Sequence, residues 1–390
     1  MSLSVRSRFG ALLFTLLLVL LLALSAGSSL AKPAPSHTSV GDIELLGYVF
    51  ISNDLMVDET LVGGLSGLVY DSQRGVYYAL SDDKGEDGGD PRFYTLDIDV
   101  SDGSLEDGDV HFQGVTFLRD HRGHRYGVEA IDPEGFELAR PGQLFIGSEG
   151  NIVGDTQPFI DRFNPSGKQN RALPIPDKFV ADPPSSGARD NLVYESLTAT
   201  PNGHYLYAGT ENALAQDGPI ATNVVGSPSR VIQYSLHTLK PMAEFVYCVE
   251  PIPVGDGGGD NGLVELQALD NHGTFLAMER SFVFPFGNTV RLFEVSTHGA
   301  TDVSDVEALG WADCPGGDGS ITPMAKEFLA DFNDLGVDTV EVLDNMEGMA
   351  FGPPLPDGRL PLIVVSDNNF NPRFQDTIFV ALAVELESAD

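Results

Sequence analysis

Residues 194–211 read YESLTATPNGHYLYAGTE, and this outline decides the fold because it recurs along the chain. A polar or acidic residue leads a short apolar run, turn-forming residues with a glycine follow, and a second apolar run ends in an acid. Four further copies lie at residues 64–83, 132–149, 264–279 and 346–367. The apolar runs are short and rich in Leu, Val, Tyr and Phe, so each copy predicts a β-hairpin.

Further strand-like runs follow the hairpins, for example residues 93–100 and 110–118 after the first copy. Four strands per repeat of this length is the pattern of a β-propeller blade. The sequence therefore predicts an all-β chain, a β-propeller with five recognisable four-stranded blades. A sixth, degenerate blade could lie within residues 303–344, where residues 322–335 have mixed helical and strand character.

The last blade lacks a strand in its own part of the sequence. After the final hairpin one clear strand remains, residues 377–386, whereas the apolar run at residues 43–51 (IELLGYVFI) precedes the first copy. We therefore expect the N- and C-terminal strands to pair and to close the ring.

The first residues have the composition of a secretory signal peptide. Arg6 and Arg8 precede an almost unbroken apolar stretch at residues 11–24, and small residues then lead to a cleavage site after Ala31. An uncleaved membrane anchor is the alternative, but the stretch is short for a span. We expect a secreted or periplasmic protein with three parts: a signal peptide at residues 1–31, an N-terminal tail at 32–41, and a single propeller domain at 42–390.

The chain is strongly acidic, with 22 Lys and Arg against 57 Asp and Glu and a formal charge of −35. Such a surface repels phosphate backbones and anionic headgroups, so we expect no nucleic-acid binding and, after signal cleavage, no membrane binding. Two cysteines are too few for a disulfide scaffold or a cysteine-rich zinc site. In an oxidising compartment Cys248 and Cys314 could pair, and the sequence leaves this open.

The repeat predicts two rings of carboxylates at one face of the propeller. The first strand of a blade lines the channel and the second runs antiparallel beside it, so the start of the first and the end of the second share a face. The leading positions of the five copies, each followed by a turn glycine after 9, 8, 8, 8 and 11 residues, form the predicted inner ring: Ser66, Glu134, Glu195, Glu265 and Glu347. The acids that end the second strands form the predicted outer ring: Asp82, Asp83, Glu149, Glu211, Glu279 and Asp367.

Like charges this close cannot all stay ionised without a compensating cation. A hard, oxygen-binding ion suits many carboxylates, so we predict that all the acids of both rings bind Ca²⁺. The alternative is a purely structural role, in which buried glutamates accept hydrogen bonds from neighbouring blades and no ion is needed. Raised carboxyl pKa values would be the signature of that metal-free ring.

Several motifs in these repeats resemble one known family. GGLSGL with YYALSDD, DPEGFEL with GSEG, the triplet Glu279-Arg280-Ser281, and NMEGMAFGPP with VVSDNNF are similar to the secreted phytase-like β-propeller family. That family is labelled as having esterase-like activity. The resemblance covers residues 61–386 and implies a β-propeller that hydrolyses phosphoesters or other esters.

Two functions of different classes follow. The first is an exported Ca²⁺-dependent hydrolase of small-molecule phosphoesters or related esters, with Glu195 or Glu265 as general base and Arg280 holding the transferred group. The alternative is a non-catalytic, metal-stabilised propeller that binds an extracytoplasmic ligand or protein. The small number of basic residues weakens the likeness to phytases, because a substrate with many phosphates requires a pocket rich in Lys and Arg.

Overall fold

Short apolar segments separated by turns form 22 β-strands in the computed structural model, which describes residues 37–85, 89–338 and 342–389. The predicted signal peptide lies outside these described residues. Within them the one helical element is a turn of 3-10 helix, Asp177–Phe179, and no helix is long and apolar enough to cross a membrane.

The strands form five antiparallel sheets of four, and each sheet is a propeller blade. The chain enters through β1 (His37–Ile51) and a small ladder of β2 (Met56–Val57) and β3 (Thr60–Leu61). Blade 1 then contains, from the channel outward, β4 (Leu65–Asp71), β5 (Val76–Ser81), β6 (Arg92–Ile98) and β7 (Val110–Phe117). Blade 2 contains β8 (Pro133–Arg140), β9 (Gln143–Ser148), β10 (Phe159–Phe163) and β11 (Gln169–Ala172).

The remaining blades follow the same order. Blade 3 contains β12 (Ser196–Ala199), β13 (Tyr205–Gly209), β14 (Ser227–Ser235) and β15 (Lys240–Val249). Blade 4 contains β16 (Asp260–Ala268), β17 (Thr274–Val283), β18 (Gly287–Ser296) and β19 (Ala325–Asp331). Blade 5 contains β20 (Asn345–Phe351), β21 (Leu360–Asp367), β22 (Thr377–Ala389) and, as its outermost strand, β1.

The predicted closure of the ring is confirmed. Strands β1 and β22 are antiparallel neighbours, and their ladder runs from the pair His37 and Ala389 to the pair Ile51 and Thr377. Since β1 begins at His37, residues 37–41, which we expected in the N-terminal tail, belong to this outer strand.

The five-blade prediction is confirmed, and the sixth blade within residues 303–344 is wrong. The segment of mixed character contains β19, which completes blade 4 instead of starting a new sheet. Before it, Val303 and Trp311 pack against Val246 of blade 3. A disulfide joins Cys248 of β15 to Cys314, which lies in the connection between β18 and β19. This connection is therefore covalently attached to blade 3.

Apolar side chains fill the five spaces between adjacent blades. Because side chains alternate along a strand, one strand serves two spaces. In β21, Leu362 and Val364 pack toward blade 4, whereas Ile363 and Val365 pack toward blade 1. The layer between blades 5 and 1 also contains Val49 of the terminal strand.

Removal of β1 is expected to expose an apolar strand edge. A protein lacking residues 42–51 would leave the outer edge of β22 unpaired over most of its length, and an exposed edge of this kind promotes aggregation. We expect a lower melting temperature and oligomers in size-exclusion chromatography. A truncated protein that remains monomeric and as stable as the parent would show that the terminal pairing does not hold the ring.

Candidate functional site

β-Bulges at the start of the inner strands orient the predicted inner ring. The ladder between β20 and β21 skips from Met346 to Gly348 and leaves Glu347 as the extra residue. In blade 2 the ladder skips from Pro133 to Phe136, and the skipped segment contains Glu134. A bulge re-aims the side chain of its extra residue, and here both glutamates face the end of the central channel.

Most of the predicted acids meet at a cavity of about 1010 Å³ at this end of the channel. Six of them line it: Asp82, Glu134, Glu195, Glu211, Glu347 and Asp367. Glu149 lies beside Glu134 and Asp132, and these three each offer one carboxylate oxygen within 4.8 Å of the others. These six acids, Glu149 and Asp132 form a cluster of eight carboxyl groups, which we call the carboxylate cluster. The two-ring prediction includes seven of them.

Several carboxylate oxygens in this cluster have no partner among the described residues. They are Asp82 Oδ1, Asp132 Oδ1 and Glu149 Oε2, each of which is shielded from solvent. The second oxygen of Glu149 accepts a hydrogen bond from the Val193 N–H at 2.6 Å. Buried polar atoms are almost always hydrogen-bonded, so oxygens without partners in one cluster could hold a cation.

Burial and mutual repulsion raise the pKa of these carboxyl groups. The pKa of Glu134 lies well above its usual value because of burial and then of Glu195, Asp132 and other acids. Burial is also the main cause that raises the pKa of Glu211 to about 7 and that of Asp367 to about 6. These raised pKa values are the signature that we expected of the ring without an ion. In that state part of the cluster binds protons near neutral pH, whereas a cation would allow it to ionise.

Two basic side chains line the cavity among the described residues, Lys84 and Arg280. The Lys84 ammonium forms an ion pair with Asp132. The Arg280 guanidinium lies 3.2 Å from Asp260 and 3.4 Å from Glu347, whereas its Nε has no partner among the described residues. Each of these cations therefore compensates acids of the site, and the partnerless Nε of Arg280 is shielded from solvent.

Blade 4 departs from the predicted rings by one residue. Glu265 pairs with Met278, just as Gly67 pairs with Leu80 in blade 1 and Gly348 with Val365 in blade 5. The ring position of blade 4 is therefore Val264, the residue skipped by its bulge. The prediction that Glu265 lies in the metal-binding ring and acts as a general base at the cavity is wrong, because its side chain lines a separate cavity.

The same shift removes Glu279 from the outer ring. It pairs with Leu263, at the position that Ser81 and Ser366 occupy in other blades. Its carboxylate faces into the blade and accepts bonds from the Tyr247 hydroxyl and the Lys326 ammonium. Glu279 thus joins blades 3 and 4, and Arg280 takes the outer-ring position that Asp82 and Asp367 hold elsewhere.

Asp83 is also not a residue of the cavity. Its Oδ2 lies 2.8 Å from Arg92 Nη1, and both side chains are fully buried inside blade 1. Consecutive residues of an extended segment point to opposite sides, so Asp82 faces the cavity and Asp83 faces the blade. The prediction of Asp83 as a metal ligand is therefore replaced by a structural ion pair.

Sequence reasoning missed several polar residues of the site. Asp132 and Asn345 each stand two residues before a ring glutamate, in DPEG and NMEG, and this shared polar position was a usable signal. The amide of Asn345 donates to Glu347 Oε1 at 2.6 Å and to Asp367 Oδ2 at 3.2 Å. Lys84 follows Asp82-Asp83 in a connection outside the repeat, so no repeat pattern indicates it.

The fold and this acidic cavity define a propeller with a candidate cation site at one end of its channel. A family model described as "Phytase-like: Esterase-like activity of phytase" matches residues 60–370. The chain belongs to this phytase-like family. No curated protein matches it.

Similar solved structures have low sequence identity to this chain. A GH43 β-1,3-galactosidase with galactodeoxynojirimycin is 9% identical, with 85% of this chain and 94% of that chain covered and a TM-score of 0.44. The periplasmic gluconolactonase of Pseudomonas aeruginosa is 12% identical, with 90% and 100% covered and a TM-score of 0.35. The RRP9 WD40 repeats are 10% identical, with 88% and 100% covered and a TM-score of 0.36. At these values the family membership rests on the sequence match.

The two adjacent acids of blade 1 should respond differently to loss of charge. In Asp83→Asn the Arg92 guanidinium loses a buried counter-charge, which is expected to lower the free energy of unfolding by about 3–5 kcal/mol. In Asp82→Asn one like charge leaves the crowded cavity, so stability in EDTA should be unchanged or higher. Urea denaturation of both variants in EDTA measures this difference, and equal losses would contradict the assignment of the two side chains.

The second cavity gives a pH prediction. Burial raises the pKa of Glu137, which lines this cavity with Glu265, to about 7. Between the ordinary value of 4.5 and about 7 the folded state keeps a proton that the unfolded chain has lost. The Glu137 carboxyl therefore lowers the free energy of unfolding progressively as the pH rises from 4.5 to about 7.

Glu137→Gln removes this cost and retains an acceptor for the Ala199 N–H. Its melting temperature relative to the parent should rise from pH 4.5 to pH 8, with little difference at the acidic end. A difference between variant and parent that is constant with pH would refute the raised pKa.

Proposed function

We propose that this protein is an exported, Ca²⁺-dependent hydrolase of phosphoesters or related small-molecule esters. The observation that carries the proposal is the set of buried carboxylate oxygens without partners at Asp82, Asp132 and Glu149, beside an open cavity that also contains Arg280. A cation at these oxygens and an arginine that lines the same cavity would each stabilise the negative charge that develops during ester hydrolysis.

The donor set favours a hard cation. Asp132, Glu134 and Glu149 offer oxygen atoms, and Ca²⁺ accepts six to eight oxygen ligands in flexible geometry. Asp82 would add its unpartnered oxygen, with Lys84 limiting the total negative charge. When bound, such an ion would offset part of the negative charge of the cluster and act as a Lewis acid toward an ester carbonyl or phosphoryl group.

The chain's own side chains would supply orientation and proton transfer. Arg280 would hold the oxyanion of the ester through the terminal N–H groups of its guanidinium plane. Glu195, on the inner ring at the cavity, would accept a proton from the attacking water. The water oxygen then bonds to the carbonyl carbon or the phosphorus, and the bond from that atom to the ester oxygen breaks. Glu195 passes its proton to this oxygen, which leaves as an alcohol.

Export of the protein is part of the same proposal. The N-terminal residues have the pattern of a signal peptide, and the disulfide between Cys248 and Cys314 is typical of oxidising compartments. A periplasmic or extracellular location would also supply Ca²⁺ at the concentrations that sites of modest affinity require.

Calcium binding can be tested with two buried glutamates of the same channel. Glu134→Gln is expected to weaken Ca²⁺ binding, whereas Glu265→Gln, which alters a glutamate outside the acidic cavity, should retain it. Titration calorimetry of EDTA-treated proteins measures the affinity. For the parent, Ca²⁺ at 100 times its dissociation constant should add about 2.7 kcal/mol of stability.

Equal affinities of the two glutamine variants, or a parent melting curve unchanged by EDTA and millimolar Ca²⁺, would exclude the cavity as the metal site.

Arg280 separates catalysis from metal binding. Arg280→Lys keeps the charge that compensates Glu347 but loses the planar donor set, so hydrolysis should fall while Ca²⁺ affinity stays within about threefold. The measurement is release of phosphate or alcohol from a panel of generic esters, with calorimetry on the same samples. Parent protein that binds Ca²⁺ and hydrolyses no ester would favour the non-catalytic binding propeller.

A further inference from the structure

Four phenylalanines line the mouth of the acidic cavity and are exposed. Phe50, Phe282, Phe286 and Phe374 have exposed fractions of 46%, 42%, 53% and 74% and all contribute to the cavity lining. We call these four residues the phenylalanine rim. Among the described residues, two other phenylalanines are exposed, Phe284 next to the rim and Phe328 on β19.

Three separate segments bring these rings together. Phe50 is near the end of β1, Phe282 and Phe286 belong to β17 and the turn after it, and Phe374 lies between β21 and β22. Large exposed apolar side chains on a soluble chain usually mark a binding surface when they cluster. These form the apolar wall of a cavity whose floor carries the carboxylate cluster.

The polar lining argues against a substrate with many negative charges. Lys84 is paired with Asp132, and Arg280 contacts Asp260 and Glu347. Arg373 lies outside the lining, with its Cζ 5.0 Å from the centre of the Phe374 ring. A polyphosphate would therefore meet a surplus of carboxylates and few free cations, even with one divalent ion bound.

We infer that the site takes esters with one reacting group on an aromatic or aliphatic body, and that the phenylalanine rim binds this body. This inference rests on the proposed function, because it names the substrate class of the same cavity. The cavity, at about 1010 Å³, has room for such a molecule. A lipid surface or a second copy of this chain is a poorer occupant, because the formal charge of −35 repels both anionic lipid and a like-charged chain.

The experiment compares two non-hydrolysable phosphonates that share one head group, methylphosphonate and 1-naphthylmethylphosphonate. Calorimetry in Ca²⁺ measures their binding and that of inositol hexakisphosphate, a phosphoester with six phosphates. The naphthyl phosphonate should bind at least about tenfold more tightly than the methyl compound. Inositol hexakisphosphate should bind no more tightly than methylphosphonate.

Matched variants locate the apolar contact. Phe374→Ala and Phe286→Ala should each reduce the preference for naphthyl over methyl about three- to tenfold and leave methylphosphonate affinity unchanged. Phe328→Ala removes an exposed phenylalanine that does not line the cavity. It should change neither the preference for naphthyl over methyl nor the affinity for methylphosphonate. The same variants should still bind Ca²⁺ like the parent.

The outcomes separate this inference from the proposed function. Naphthyl and methyl probes that bind equally or not at all, tightest binding of inositol hexakisphosphate, or a loss in Phe328→Ala as large as in Phe374→Ala would overturn the inference. If the naphthyl preference depends on the rim while Ca²⁺ binding and ester hydrolysis both fail, the rim is an apolar ligand site and the proposed hydrolase is wrong.

Discussion

Electrostatic repulsion among buried carboxyl groups is the interaction on which the site depends. At a separation of 4.8 Å, as among Asp132, Glu134 and Glu149, two unit charges repel by roughly 3.5 kcal/mol at an effective dielectric constant of 20. A propeller produces such crowding readily, because each blade presents its equivalent positions to the same end of the channel. Protons, Lys84 and Arg280 offset part of it, and oxygens without partners remain on the side of blades 1 and 2.

The departure of blade 4 from the repeat gives the cavity two different sides. Arg280 occupies an outer-ring position that is acidic in the other blades, and it lies next to Glu347 and Asp260. The acids near Asp132 and Glu149 could hold a cation, whereas blade 4 contributes a guanidinium of the opposite charge. A ring of five identical acidic blades would lack this polarity.

The repeat was sufficient to predict the fold and most of the cavity, because five copies with common turns specify equivalent strands. It could not decide which residue of blade 4 takes the inner-ring position. Gly273 follows Glu265 after 8 residues and Val264 after 9, and both spacings occur in other copies. The bulge in β16 decides between them, and a bulge depends on three-dimensional pairing that the local sequence does not encode. Lys84 and the phenylalanine rim come from connections and strand ends, which no repeat pattern aligns.

Closure of the ring and construction of the site are one structural problem. Strand β20 approaches β4 so closely that a Cβ on Gly348 would lie 2.9 Å from the backbone of Gly67, so only glycine permits this contact. Burial is the main cause that raises the pKa of the Asp82 carboxyl, and Asp367 and Glu347 of blade 5 add to it. The same blade carries Phe374 on one connection and Phe50 on its terminal strand. Blade 5, which is built from both ends of the chain, therefore contributes acids to the carboxylate cluster and two rings to the phenylalanine rim.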